Sequence, residues 1–242
     1  MINETANPSL REAIKRGWDW LVFVVQLISQ VGGVKSWLRA LGKLIHILRS
    51  HQQATQQSTQ QPNSDDLSSF KSNAPRLEFY DSSNFPFVAN LEANWQIIRQ
   101  ELTQLQGMNF IEYSEKFLYK SGWKTLGLYA FGIKIERNCE LCPETTKLIE
   151  KIPNLHTAAF SSLEAGTHII PHTGYPEQVL RCHLGLFVPD NCETRCGIRV
   201  GTQTRNWAEG KCLIFDDTFE HEAWNKSDRT RIVLLLDFKY SF

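Results

Sequence analysis

From residue 157 to the C-terminus the chain runs through TAAFSSL, VLRCHLGLFV, CGIRVG, TQTRNWA, KCLIFD, HEAWN and TRIVLLLDFKY, short stretches parted by Gly, Pro, Asn and Asp. Stretches this short, rich in β-branched and aromatic residues, read as strands. Such strands bury their apolar faces only against one another, so the pattern predicts a mainly β fold, a sandwich or jelly roll. Two helical segments come first. Leu91, Trp95, Ile98 and Leu102 form one stripe along LEANWQIIRQELTQL, and CPETTKLIEKIP opens near Pro143 and is closed by Pro153. They predict α-helices flanking one face of the β layer.

Residues 1–50 are of another kind. Leu10, Ile14, Trp18, Leu21, Val25 and Ile28 recur at helical spacing, Gly32-Gly33 interrupts, and Val34, Trp37, Leu38, Leu41, Ile45 and Leu48 resume the pattern. The whole chain balances 26 Lys+Arg against 26 Asp+Glu, which gives no reason to expect a nucleic-acid partner. Residues 1–50, however, carry seven Lys/Arg against three acids. The run WLVFVVQLISQVGGV is too short and too polar for a membrane span, and no small-residue cleavage site follows it. Residues 9–49 therefore read either as a basic amphipathic segment lying on an anionic membrane surface or as a helical hairpin packing on the main domain or on a second copy. Residues 51–69 are Gln/Ser-rich and cannot bury enough surface to fold, so they read as a flexible linker before a main domain at 70–242.

Six cysteines, at 139, 142, 182, 192, 196 and 212, are too few for a disulfide scaffold and point to a reducing, cytoplasmic compartment. Cys182 and Cys212 read as small apolar strand residues. Cys139/Cys142 and Cys192/Cys196 could together hold zinc, but the turn-forming Gly or aromatic pattern of a metal knuckle is absent. A local disulfide or plain thiols is the simpler reading.

The strand Val179–Val188 carries an anomaly. Alternation puts Leu180, Cys182, Leu184 and Leu186 on one face and Arg181, His183, Gly185 and Phe187 on the other. In the last strand Arg231, Val233, Leu235 and Asp237 share a face, so a guanidinium enters a nearly wholly apolar run. Left unpaired in a dry interior it would cost about 3–5 kcal/mol, so it calls for an anionic partner, a carboxylate or a ligand. His172 and His221 stand where strands meet turns, where two imidazoles can converge on a metal or serve as structural histidines.

The segments FSSLEAGTHIIPHTG, LRCHLGLFVP and WAEGKCLIFDDTFEHEAWNKSDRTRIVLLLD resemble, in order and spacing, the aspartyl/asparaginyl β-hydroxylase family of iron(II)- and 2-oxoglutarate-dependent dioxygenases. The resemblance reaches back to about residue 80. It implies a double-stranded β-helix, a cupin-like jelly roll, and hydroxylation of an unactivated C–H bond with Fe(II) as metal and 2-oxoglutarate and O2 as cosubstrates. It likens His172 and His221 to the metal ligands and Arg231 to the arginine that grips the far carboxylate of 2-oxoglutarate. Ser161, Arg181 and His183 resemble further cosubstrate contacts. Gly174 stands where most related dioxygenases carry a third, carboxylate ligand.

For substrate the family implies the β-carbon of Asp or Asn in a peptide or protein. Here Val179 and Ala159 stand where basic residues would hold an acidic target, which opens a lipid acyl chain or free amino acid as the alternative. Gly174 also admits an iron-dependent halogenase, and a non-catalytic 2-oxoglutarate- and metal-binding module is the non-enzyme alternative. Asp216 and Asp217 read equally as partners that orient an imidazole and as turn caps, and Trp207 and Trp224 as packing.

Overall fold

The computed structural model describes residues 76–105, 110–174 and 179–240. The segments read above as amphipathic helices and linker, residues 9–49 and 51–69, lie outside them. In chain order the described elements begin with β1 (Phe79–Tyr80), helices α1 (Pro86–Ala93) and α2 (Trp95–Gln104), and β2 (Ile111–Glu112). There follow β3 (Trp123–Ala130), β4 (Ile133–Lys134), α3 (Glu136–Glu140) and α4 (Pro143–Ile149). The second half is β5 (Leu155–Leu163), β6 (His168–His172), β7 (Val179–Phe187), α5 (Cys192–Arg195), β8 (Cys196–Val200), β9 (Gln203–Arg205), β10 (Cys212–Phe215), β11 (His221–Asn225) and β12 (Arg231–Lys239).

Two antiparallel sheets result. The larger runs β1-β10-β7-β12-β5-β3-β2, with β4 paired to β3, and the smaller runs β6-β11-β8-β9. Strands β5 to β8 and β9 to β12 alternate between the sheets, with β8 and β9 paired as a hairpin in the smaller one, in the manner of a jelly roll with flanking helices, so most connections cross the barrel and its mouth is built from several loops. On the outer face of the large sheet Leu126, Phe160, Leu180, Leu184, Leu234 and Leu236 pack against Leu91, Ile98 and Leu102 of the helices. Between the sheets, Leu163, Val233 and Leu235 meet Ile169, Ile198, Val200 and Ala223. The large sheet is thus buried on both faces, which explains its near-continuous apolar strands.

Several sequence expectations change in detail. The helix expected over 91–105 is split at Asn94 (φ −114°, ψ 12°), whose side chain donates to the Asn90 carbonyl at 2.8 Å and competes with the helical ladder. Strand β3 precedes the run of strands read from residue 157 and widens the large sheet. Strand β6 contains Pro171, which an edge position tolerates because no ladder hydrogen bond is needed there. Phe187 does not share the interior face with Arg181 and His183. A register slip in the β7–β12 pairing sets it opposite Ile232 and turns it to the helical layer, under the Arg99 guanidinium at 4.3 Å. The six cysteines are all buried free thiols. Cys139 and Cys142 lie in the core beneath the helices and Cys192 and Cys196 in the core between the sheets, so the two pairs form no joint metal knuckle.

Wholly buried Asn225 locks the turn that delivers β12. Its amide donates to the carbonyls of Leu163 and Arg229, both at 2.8 Å, and its oxygen accepts from the Ser227 hydroxyl at 2.6 Å and the Ser227 N–H at 3.1 Å. Asn225→Ala removes these buried bonds, leaving the Arg229 carbonyl only the Ser227 hydroxyl at 2.9 Å, and is expected to cost about 2–4 kcal/mol. Urea unfolding checks it, as a lowered midpoint at unchanged slope.

Candidate active site

At the barrel mouth β6 ends on His172 and β11 begins on His221. A register slip between His221 and Ala223 brings the two residues directly opposite each other, with ring centroids 4.2 Å apart. Each ring is oriented by the carbonyl two residues before it. His172 Nδ1 meets the Ile170 carbonyl at 2.7 Å, and His221 Nδ1 meets the Phe219 carbonyl at 3.0 Å. A hydrogen bond from Nδ1–H to a carbonyl puts the imidazole lone pair on Nε2, the tautomer in which histidines bind metals. Burial, and then the neighbouring His172, push the His221 pKa down to about 3, so the ring stays neutral. Among the described residues no third His, Cys, Asp or Glu completes a metal-holding group with them.

Gly174 lies two residues past His172. A Cβ there would come within 2.4 Å of the Asp217 carboxylate, while the Gly174 N–H donates to the Asp217 carbonyl at 2.7 Å. The space that a side chain at 174 would need is filled by an anion from the loop before β11. The two aspartates read together in the sequence therefore divide. Asp216 caps the turn, accepting from the Thr218 N–H at 3.0 Å and hydroxyl at 2.7 Å, and Asp217 faces the site.

Arg181 is held between carboxylates. Its Nε and Nη2 donate to Asp237 at 2.7 and 3.0 Å, and Nη2 lies 3.1 Å from Asp217. Burial works against the charge, but the two aspartates outweigh it and hold the guanidinium above its usual range. Asp237 sits opposite Arg181 in the β7–β12 register. The alternation of β12 put Asp237 on the interior face, and the sequence offered that signal for the pairing.

Deeper in the barrel Arg231 is in a different state. It is 2% exposed, and its Nε and Nη1 have no hydrogen-bond partner among the described residues. It lies over the Trp207 ring at 4.3 Å, and burial pulls its pKa down to about 10. His183 is also buried, with Nε2 unpartnered and Nδ1 accepting from the Trp207 Nε1–H at 3.3 Å. Ser161 faces the same interior and accepts from the Trp123 Nε1–H at 3.1 Å. Sequence reasoning singled out Arg231, His183 and Ser161, but it read Trp207 as packing and missed Trp123, because neither indole carries a charge that breaks the apolar pattern.

Beside this interior lies a cleft open to solvent. Tyr113, Trp123, Phe131, Ala159, Val179 and Leu235 give it an apolar wall, while Arg181, Asp217 and Asp237 border it. Tyr113 stacks on Trp123 at 3.8 Å. Ala159 and Val179, the two positions read as unable to pair with an acid, both line it.

Two curated relatives can be set beside this geometry. An ornithine lipid ester-linked acyl 2-hydroxylase from Rhizobium tropici is 44% identical over 167 residues, covering 66% of this chain and 59% of the relative. The human aspartyl/asparaginyl β-hydroxylase is 36% identical over 159 residues, covering 62% of this chain and 20% of the relative. The chain thus spans less than two thirds of either relative's length. Among solved structures, a Pseudomonas putida prolyl-4-hydroxylase aligns over 63% of this chain and 98% of its own, at 11% identity and a TM-score of 0.42. The sequence profile of the aspartyl/asparaginyl β-hydroxylase family matches residues 92–240, a stretch that holds both facing histidines and both interior arginines, and the chain belongs to that family.

Proposed function

We propose that the protein is an iron(II)- and 2-oxoglutarate-dependent dioxygenase that hydroxylates an unactivated C–H bond. The observation that carries this reading is Arg231, a buried guanidinium whose Nε and Nη1 lack partners where the fold would otherwise have to supply a carboxylate. A 2-oxo diacid supplies one. The donor set suits the metal as well, since His172 and His221 both have Nδ1 committed to carbonyls and Nε2 left as the basic nitrogen. These two residues would hold iron(II), which when bound would activate O2, the oxidant, at the expense of 2-oxoglutarate for attack on a C–H bond.

The chain's own residues bind, orient and exclude water. Arg231 grips the far carboxylate of the cosubstrate with charge-assisted bonds, and Ser161 and His183 face the same space. The two apolar cores exclude water around it, which strengthens those bonds. Arg181, clamped by Asp237 and Asp217, forms a fixed, internally neutralised boundary between cosubstrate and cleft and keeps the Asp217 carboxylate in place beside Gly174. An anion in that space repels halide, which favours hydroxylation over the halogenase alternative.

The cleft favours an apolar substrate, and we assign it the acyl chain of a lipid rather than the β-carbon of an Asp or Asn residue. Its open surface is mostly apolar although Glu115 and His156 also line it, and among the described residues no lysine does and its one arginine is committed to two aspartates. The Rhizobium relative is named for an acyl chain, and residues 9–49 would hold the enzyme at an anionic cytoplasmic membrane surface.

His172→Ala or His221→Ala is expected to abolish iron(II) binding, measured anaerobically by equilibrium dialysis; undiminished affinity in both variants would remove the metal assignment. Arg231→Ala should raise the 2-oxoglutarate requirement on the order of a hundredfold or more, read as succinate formed against cosubstrate concentration. Mass spectrometry after incubation of the iron-loaded enzyme with 2-oxoglutarate and either a lipid extract or Asp-containing peptides should show added oxygen on lipid acyl chains alone. Oxygenated peptide with unchanged lipid would overturn the substrate reading.

A further inference from the structure

Trp207 touches both unpartnered groups of the barrel interior. Its ring lies under the Arg231 guanidinium at 4.3 Å, and its Nε1–H reaches His183 Nδ1 at 3.3 Å with the two rings nearly parallel, 26° apart. An indole nitrogen only donates, so Nδ1 must be the acceptor in this bond. A neutral imidazole whose lone pair is on Nδ1 carries its hydrogen on Nε2. Burial, followed by the nearby Arg231, Arg181 and His221, holds His183 well below its usual pKa and therefore neutral. The unpartnered Nε2 is then a donor without an acceptor.

The same logic applies to Ser161, which accepts from the donor-only indole of Trp123 and keeps its own hydroxyl hydrogen to give. Arg231 Nε and Nη1 are donors by nature. The open polar atoms of Arg231, His183 and Ser161 are thus all hydrogen-bond donors, and a carboxylate is an acceptor only. With the other His183 tautomer, an Nε2 lone pair would face the anion and repel it.

Trp207 is seated by backbone rather than by ligand. Gly185, two residues past His183 on β7, has no Cβ; one built there would come within 2.2 Å of the Ala208 carbonyl. The absence of that carbon lets the segment after Trp207 lie on β7, where the Gly210 N–H donates to the Gly185 carbonyl at 2.9 Å and the Gly185 N–H to the Lys211 carbonyl at 3.0 Å. The indole therefore reaches His183 from a fixed point.

The geometry points to Trp207 as a positioning residue that locks His183 in the Nε2–H tautomer, so that the interior shared with Arg231 and Ser161 admits a carboxylate in its ionised form. The inference rests on the 2-oxoglutarate reading for the identity of the carboxylate, but the tautomer itself does not depend on it. Nitrogen-15 NMR of histidine-labelled full-length protein without iron should show His183 protonated on Nε2. Trp207→Phe, which keeps an aromatic ring beside Arg231 but loses the N–H donor together with the second ring of the indole, should give a mixture of tautomers or the Nδ1–H form. The same variant should raise KM for 2-oxoglutarate about tenfold, a larger change than in kcat. An Nδ1–H signal in the wild-type protein, or an unchanged tautomer in the variant, would overturn the inference, and so would an unchanged KM. If the wild-type protein shows the Nε2–H form but calorimetry finds no binding of 2-oxoglutarate, the cosubstrate reading fails and the tautomer lock stands.

Discussion

Arg231 stands at the foot of β12, inside the barrel, with its charge removed from water and no carboxylate to answer it among the described residues. Desolvating a guanidinium costs several kcal/mol, and a cation–π contact with Trp207 returns only about 1–2 of them. The remainder has to be borne by the packing around it. Asn225 pins the turn that delivers Arg231, the two sheets close over it, and Gly185 lets the Trp207 segment settle against β7. A charge already stripped of water and held in place binds an incoming anion without further reorganisation, which gives a costly arrangement its use.

The second interior arginine makes the contrast plain. Arg181 shares the face and is partly buried, yet Asp237 and Asp217 neutralise it with bonds of 2.7 to 3.1 Å. Two chemically distinct volumes therefore adjoin. The interior around Arg231 offers unanswered donors, and the cleft along β3 offers aromatic and aliphatic surface with no uncommitted arginine or lysine among its lining residues. Their boundary is the Arg181 clamp, next to the facing histidines, so a diacid and an apolar chain could approach one centre from two sides without competing for one cation.

Much of this was legible as alternation. The two-residue period put Arg181 with His183 on one face of β7 and Arg231 with Asp237 on one face of β12, and the structure turns both pairs to the same interior. The same rule failed at Phe187, where a slip in the ladder adds a residue and turns the next side chain to the helices. It was silent on β3, whose two buried faces leave no alternation to read. The helix over 91–105 looked continuous because its apolar stripe is continuous; the Asn94 amide interrupts the backbone without disturbing that stripe. The paired aspartates looked equivalent, yet one caps a turn and the other faces Arg181, a difference set by which way the loop points.

The amino-acid order by itself determined that the chain would bury short strands against one another, that a guanidinium would enter an apolar strand and require an anion, and that two histidines would lie at strand ends. These follow from periodicity and desolvation, which act on neighbours in sequence. Only the tertiary structure decided which arginine was answered from within the chain and which was left open. It also decided that a carboxylate fills the space beside Gly174 and that Trp207 fixes the proton on His183. Those outcomes depend on atoms 24 to 56 residues apart meeting within about 3 Å, a register that hydrogen bonding between strands sets and that no local pattern encodes.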